Sequence, residues 1–256
     1  DKYFVGFNFV HSKDKQNSVT PYPLPSLIHP QENMVLSFVA KTSTANGWHY
    51  QVELGQSFFT RNQNDLIAVT PLKDFKPFIN QNISTYRDNA FIAGITKKGK
   101  DWEVGAKMKY YGAGYYTAGY SFMSNDRLEY LANTRFNTWK KKINVVASVG
   151  QRIGNWNRTT SPSRTKQIIA NANIFTQFND HFSMNMSYNN FGFNAPSLAG
   201  YKSVNNELSI NPTYTWSSSK MSHLISATYT WSKYDETINP GPIVTHNNTH
   251  TALLLY

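Results

Sequence analysis

The chain has 256 residues, of which 40% are hydrophobic and 15% aromatic, and its 25 basic and 15 acidic residues give a formal charge of +10. No apolar run approaches the roughly 18 residues of a membrane-spanning helix, so a helical membrane protein is excluded. The absence of cysteine is common in chains that cross an oxidising periplasm. Modest hydrophobicity with many aromatic residues is typical of strands that are apolar on one face only.

Alternating apolar and polar residues predict twelve strands in a single domain, 1–256. We place the strands at 3–11, 33–42, 48–59, 87–96, 101–111, 127–137, 142–153, 165–178, 182–191, 202–216, 221–233 and 248–256. An even number of strands puts both termini at the end that carries the short turns. The other end carries long connections rich in proline, which strand interiors exclude: 12–32, 60–86, 112–126, 154–164, 192–201 and 234–247.

The alternation is clearest in the predicted hairpin between Lys202 and Trp231. From Leu208 to Trp216 every second residue is apolar or aromatic, and the residues between them are polar. A soluble sheet can show this pattern, but long strands with one polar and one aromatic-rich face are typical of a transmembrane antiparallel up-and-down β-barrel. Short turns recur about every 40 residues, and two long strands per repeat favour barrel hairpins over propeller blades.

The turn of this hairpin predicts how its two strands pair. A turn at Ser217 to Lys220 would place Trp216 opposite Met221. Pro212 lies among the apolar positions of the first strand, and its missing N–H predicts a bulge or an irregular position there.

Aromatic residues close to the strand ends predict two belts at membrane interfaces. One belt lies beside the short turns and comprises Trp48, Trp102, Trp139 and Trp216. Trp231 and Tyr234 would mark the opposite interface.

Two stretches, 119–130 and 187–193, resemble outer-membrane barrels of the Bacteroidota, and a third feature is the alternation of Ala252, Leu254 and Tyr256. The last is similar to the C-terminal signal that the barrel-assembly machinery recognises, although that signal usually ends in Phe. The resemblance implies a Gram-negative outer membrane, with termini and short turns in the periplasm and long loops outside the cell. It implies no functional residue.

The predicted register assigns one polar set of residues to the barrel lumen: Lys41, Glu53, Glu103, Lys107, Lys109, Glu129, Arg135, Arg152, Glu207 and Asn211. Its acidic and basic members nearly balance, so the interior is not expected to attract anions strongly.

A basic rim is predicted beside the short turns, formed by Lys97, Lys98, Lys100, Lys140, Lys141 and Lys220. Anionic lipid headgroups of the outer membrane are the expected partners of this rim. The alternative is docking of an acidic periplasmic protein. Nucleic acid is not an expected partner, because no recognisable nucleic-acid-binding fold surrounds the lysines.

The sequence does not favour an enzyme, and we expect no cofactor and no metal. His250 is the best candidate for a lipase on the lipid face, but its predicted partner is Trp231 and no nucleophile is expected nearby. His246 and His250 have a metal-ligand spacing only if they lie on a helix, whereas one is expected in a loop and the other in a strand. Asp235 and Glu236 are expected in a solvated loop.

Two of the long connections could fold either into the barrel mouth or away from it. Segment 112–126 contains Tyr115, Tyr116, Tyr120 and Phe122, which could bind a carbohydrate, plug the barrel mouth or pack against extended strands. Segment 60–86 is long enough to fold inward as a constriction.

Two functions fit the barrel. The first is a narrow, polar-lined channel for small solutes. The second is a non-transporting subunit of a larger secretion, uptake or barrel-assembly complex, because twelve strands enclose a lumen that long side chains could fill. The strands could also form part of a larger barrel.

Overall fold

The structure is a computed structural model that describes residues 2–15, 29–66, 79, 81–120, 125–159, 163–195, 200–238 and 243–256. The middle of most predicted long connections lies outside these residues, as do residues 121–124 of one stretch that resembles the Bacteroidota barrels.

Twelve strands form one antiparallel sheet in chain order, which confirms the all-β, up-and-down fold. The strands are β1 (Lys2–Lys13), β2 (Glu32–Ser43), β3 (Trp48–Thr60), β4 (Thr85–Lys98), β5 (Trp102–Tyr111), β6 (Arg127–Thr138), β7 (Ile143–Gly154), β8 (Thr165–Gln177), β9 (Phe182–Ala195), β10 (Tyr201–Ser217), β11 (Ser222–Ile238) and β12 (Ile243–Leu255). The described part of the chain has one short 3₁₀ turn at Ala118–Tyr120. No helix in it has the length and hydrophobicity needed to cross a bilayer.

Two predicted outer connections, 192–201 and 234–247, are wrong in extent because the flanking strands extend into both of them. β9 continues to Ala195, β10 begins at Tyr201, and β11 and β12 continue the ladder as far as Ile238 and Ile243. The alternation that predicts strands fades here because Phe193, Tyr201 and Tyr234 lie on the face that is polar elsewhere. Asn194, Lys202 and Asp235 lie on the face that is apolar elsewhere. Backbone hydrogen bonds nevertheless continue, as Asp235 lies opposite His246.

The predicted register of the β10–β11 hairpin is wrong by two residues. Trp216 lies opposite His223, not Met221, because the turn comprises residues 218–221 and closes with a 2.8 Å hydrogen bond from Ser218 N to Met221 O. A shift by two residues keeps every side chain on its predicted face.

Of the two outcomes predicted at Pro212, the structure shows an irregular position and not a bulge. Ile210 lies opposite Tyr229 and Thr213 opposite Ser226, so the register is the same on both sides of the proline. Only the pairs of Asn211 and Pro212 with β11 are missing from the ladder. The proline therefore removes a hydrogen bond without adding a residue.

The ladders divide the side chains between two faces, because residues directly opposite one another point the same way. We call the face with Trp48, Val104 and Ile210 the apolar face, and the face with Gln51, Glu103 and Ser209 the polar face.

The side chains of the apolar face are well exposed. Leu54, Val104 and Val149 keep 55%, 51% and 56% of their surface accessible. In a water-soluble sheet the apolar face would be the covered one. The polarity of this sheet is therefore the reverse of that of a water-soluble sheet, because its apolar face is the exposed one.

Two small cores lie at the end of the sheet that carries the long connections. Met34, Phe58 and Ile79 pack together on the apolar face. Val35, Ala90 and Tyr115 pack on the polar face. Both cores include a residue from a connection, so connections cover both faces at this end.

The first and last strands differ from the others. The described residues show no ladder between β1 and β12. Neighbouring residues that point to opposite faces are exposed on both strands, as in Phe4 with Val5 and Leu253 with Leu254. Each of these strands therefore presents one edge without a partner strand in the described part of the chain.

Candidate functional site

All ten residues predicted to line the lumen lie on the polar face. The pairing of each strand with the next places them all on this face. It begins with Lys41 opposite Gln51 on β2 and β3 and ends with Asn211 opposite Asn185 on β10 and β9. The set comprises Lys41, Glu53, Glu103, Lys107, Lys109, Glu129, Arg135, Arg152, Glu207 and Asn211.

Glu129 is the centre of an ion cluster on this face. Its side chain is only 3% exposed, and its two carboxylate oxygens accept hydrogen bonds of 2.9 Å from Lys109 Nζ and 2.9 Å from Arg152 Nε. Arg152 Nη1 also donates to Gln167 Oε1 at 3.1 Å. One carboxylate thus holds two cations that come from the neighbouring strands β5 and β7, and the cluster keeps a net positive charge.

The charges near the short turns are more open. Glu103 lies opposite Arg135 and is 3.5 Å from Lys98 Nζ. Lys41 Nζ lies 5.8 Å from the centre of the Phe4 ring. These groups are accessible to water, so their mutual attraction is weak.

The charges of the polar face are concentrated on β2 to β7. On β8 to β12, Glu207 and Glu236 are the only acidic or basic residues that the described strands place on this face. The remaining positions are mainly amides and hydroxyls, including exposed Asn171, Asn173 and Asn189. The predicted lumen set does not separate these two parts, although the alternate positions of the later strands in the sequence show the division.

The connection after β5 folds onto the polar face. Asn33 on β2 donates from Nδ2 to Tyr116 O and Phe58 O, at 3.1 Å each, and its Oδ1 accepts from Ala118 N at 2.9 Å. Asn33 is 2% exposed, so all three bonds lie away from water. Of the alternatives left open for segment 112–126, its described residues therefore show packing against the polar face of distant strands.

Three further contacts hold the same connection. Tyr116 N donates to Ser57 Oγ at 3.1 Å, and its ring stacks on Phe59 with the ring centres 3.9 Å apart. Gly114 N donates to Asp88 Oδ2 at 2.8 Å. The segment consequently crosses from β5 over β4 to β3 and β2 at the long-connection end.

Tyr115 sits at the centre of this crossing. A Cβ atom at Gly55 would lie 3.2 Å from its hydroxyl, so the glycine leaves room for the ring. Burial raises the pKa of Tyr115 above its usual value, and the nearby charges of Glu53 and Tyr111 raise it further. The hydroxyl therefore stays protonated over the physiological range.

One described residue of segment 60–86, Ile79, lies on the other face. Ile79 is 2% exposed and packs against Met34 and Phe58 on the apolar face. It therefore does not constrict the polar face where the structure describes it.

The aromatic belt residues lie on the apolar face or in a turn. Trp48, Trp102 and Trp216 are on the apolar face beside the short turns. Trp139 is in the turn after β6, and Trp231 lies on the apolar face opposite Leu208. Tyr234, predicted to mark the second interface, lies instead on the polar face opposite Asn205, because odd and even positions of β11 point to opposite faces.

The six lysines of the basic rim lie in or beside the short turns. Lys97 Nζ contacts Asn46 O and lies 4.9 Å from the centre of the Trp48 ring. Lys98, Lys100, Lys140, Lys141 and Lys220 are exposed. The short-turn end thus combines aromatic rings with cations.

The two histidines considered in the sequence each contact a neighbouring side chain. His250 lies opposite Trp231 as predicted and bonds through Nδ1 to Tyr229 Oη at 2.7 Å. His246, which we expected in a loop, lies in β12, and Asp235 lies in β11. Their side chains are 2.6 Å apart, which makes a surface ion pair when the histidine is protonated.

No protein-family model matches the chain, and no curated protein has a matching sequence. Function is therefore inferred from the two faces of the sheet and from the connection that covers one of them.

Proposed function

We propose that this chain is a bacterial outer-membrane β-barrel protein whose polar face lines a narrow channel for small solutes. The reversed polarity of the sheet is the observation that carries this proposal. Large side chains such as Leu54 and Val104 are exposed together along the apolar face. Such a surface promotes association in water, whereas acyl chains would cover it in a bilayer.

The short-turn end supplies the proposed orientation. Trp48, Trp102 and Trp216 would lie at the headgroup level, and the rim lysines would contact anionic lipids. In bacterial outer-membrane barrels the short turns face the periplasm and the long connections face outward. The resemblance to Bacteroidota barrels is consistent with that arrangement.

The polar face supports conduction. Amides, hydroxyls and paired charges would keep the inside of a closed barrel hydrated. The crossing of residues 112–120 would narrow this path at its outer end, in line with a channel for small solutes. We assign no catalytic step to the chain.

Reconstitution into a planar lipid bilayer tests the proposal. We expect steady single-channel currents from the purified, folded protein. The matched control is the same preparation after heat unfolding, which should be silent. Folded protein that inserts into the bilayer and passes no current would contradict the channel.

The edges of the sheet favour a second candidate, a non-transporting subunit of a larger outer-membrane assembly. The apolar side chains of β1 and β12 are exposed on both faces, and an edge strand can pair with another polypeptide. Site-specific cross-linking from Val5 or Leu254 in native membranes distinguishes the candidates. Adducts to a different protein, together with absence of current, would favour the assembly role.

A further inference from the structure

We propose that the later half of the polar face binds neutral saccharides and guides them through the barrel. We call this region the amide wall and define it as the polar-face residues of β8 to β12. The inference rests on the proposed channel, since it names the solute class that the channel would pass. It starts from the division of the polar face into a part with many charged residues and a part where Glu207 and Glu236 are the only ones in the described strands.

The chemistry of the amide wall suits hydroxylated solutes. A side-chain amide offers two N–H donors and an oxygen acceptor, and a hydroxyl both donates and accepts. Sugar hydroxyls have the same dual character, so each can exchange hydrogen bonds with the wall without a net charge. Asn171, Asn173 and Asn189 are exposed and available for such contacts.

The amide wall is also continuous along the sheet. Asn171 lies opposite Asn189, which lies opposite Glu207, and this row continues to Ser232 and Thr249. The next row toward the short turns repeats the pattern with Asn173, Ser187, Ser209, Thr230 and Thr251, whereas the row after it also contains Phe175 and Leu253. A solute can therefore move between these first two rows while it keeps equivalent partners.

Aromatic rings stand at the outer end of this path. Phe191 is 50% exposed, Phe193 lies 5.9 Å from Tyr201 between ring centres, and the Tyr201 and Tyr234 hydroxyls are 3.5 Å apart. All four residues lie on the polar face. The face of an aromatic ring is electron-rich and packs against the C–H side of a sugar ring. The rings would contact the C–H side of a pyranose, and the amides beyond them would form hydrogen bonds with its hydroxyls.

The charged part of the face is less suited to such a solute. Glu129, Lys109 and Arg152 already satisfy one another in a cluster whose carboxylate is 3% exposed. A neutral solute gains little by displacing those bonds. The amide wall is therefore the preferred track for an uncharged, hydroxylated molecule.

The test combines current block with a binding measurement that needs no current. Maltotriose, chitotriose and xylotriose are added to single channels of the full chain. The same sugars are examined by saturation-transfer NMR with the protein folded in detergent micelles. We expect at least one trisaccharide to block the current and to receive saturation, and sodium gluconate to do neither at equal concentration.

Two variants locate the site. Phe191→Leu keeps an apolar side chain of similar size but removes the ring, and should weaken block and saturation transfer at least fivefold. Phe38→Leu makes the same change on the apolar face, where Phe38 is 44% exposed, and should leave both unchanged. Heat-modifiability on gels shows that each variant is folded.

The outcomes separate this inference from the proposed channel. Current without block or saturation transfer from any of the three sugars overturns the inference and leaves the channel intact. Equal binding by the parent and Phe191→Leu also overturns it. Sugar binding that Phe191→Leu loses, in a protein that passes no current, supports the binding surface and overturns the channel.

Discussion

The Asn211 side-chain amide donates a 3.0 Å hydrogen bond to the Ala227 carbonyl, the group that faces Pro212 across the β10–β11 ladder. Pro212 has no N–H to give that carbonyl. Asn211 Nδ2 also lies 2.7 Å from Thr228 Oγ1 and 3.1 Å from Ser226 Oγ. The neighbouring side chain thus replaces the missing backbone donor, which explains how the strand keeps its register through a proline.

This relationship predicts that Asn211→Ala destabilises the sheet by about 0.5 to 1.5 kcal/mol, because a partly buried carbonyl loses its donor. Urea unfolding in micelles measures the change. In a Pro212→Ala background, residue 212 regains an N–H, so the cost of Asn211→Ala should shrink. An equal cost in both backgrounds would contradict the conclusion that the Asn211 side chain replaces the missing backbone donor of Pro212.

The alternation of apolar and polar residues predicted the strands well, because it depends only on which of the two faces each side chain occupies. The β10–β11 register could not be predicted with the same certainty, since a turn displaced by two residues leaves every side chain on the same face. The outer ends of β9 to β12 were missed because aromatic residues lie on the polar face there and polar residues on the apolar face. Asn33 and Tyr116 are 83 positions apart, and no local pattern signals their contact.

The reversed polarity predicts that a cation is tolerated on one face only. Val52 lies on the apolar face and is 41% exposed. Val52→Arg should lower the free energy of unfolding by about 2 to 4 kcal/mol if the site is near the bilayer midplane. Gln51→Arg, one residue earlier on the polar face, is the matched control and should fold normally. The readout is the fraction of heat-modifiable protein after folding into liposomes. Equal fractions for the two variants would argue against lipid on the apolar face.

The anchor of the crossing segment predicts an effect on conductance. Asn33→Ala removes three hydrogen bonds to residues 58, 116 and 118, each worth about 0.5 to 1.5 kcal/mol. The segment should leave the polar face more often, so the single-channel conductance should rise and protease should cleave near Gly119. Asn82→Ala is the control, because Asn82 binds within the other connection, at Asn62 O. Unchanged current in Asn33→Ala would show that residues 112–120 do not narrow the path.

The raised pKa of Tyr115 predicts a loss of this packing at alkaline pH. In the released segment the tyrosine has its ordinary pKa of about 10, whereas the packed hydroxyl has a raised pKa. The packed form of the segment is fully stabilised below pH 10. This stabilisation decreases as the pH rises from 10 through the raised pKa, because the released tyrosine loses its proton at a lower pH than the packed tyrosine does. Conductance should therefore increase in that range, and Tyr115→Phe should remove the pH-dependent part. A parent and variant with the same alkaline profile would assign the change to other groups.

The Glu129 cluster predicts the ion preference of the channel. Glu129→Gln removes the carboxylate that neutralises part of the charge of Lys109 and Arg152, so two cations would face the path together. The reversal potential in a salt gradient should shift toward anions, since fixed charges act strongly inside a confined path. Lys109→Gln should shift it in the opposite direction, and it serves as the matched control for loss of one ion pair. If both variants fold, conduct and keep the parental reversal potential, permeating ions do not pass this cluster.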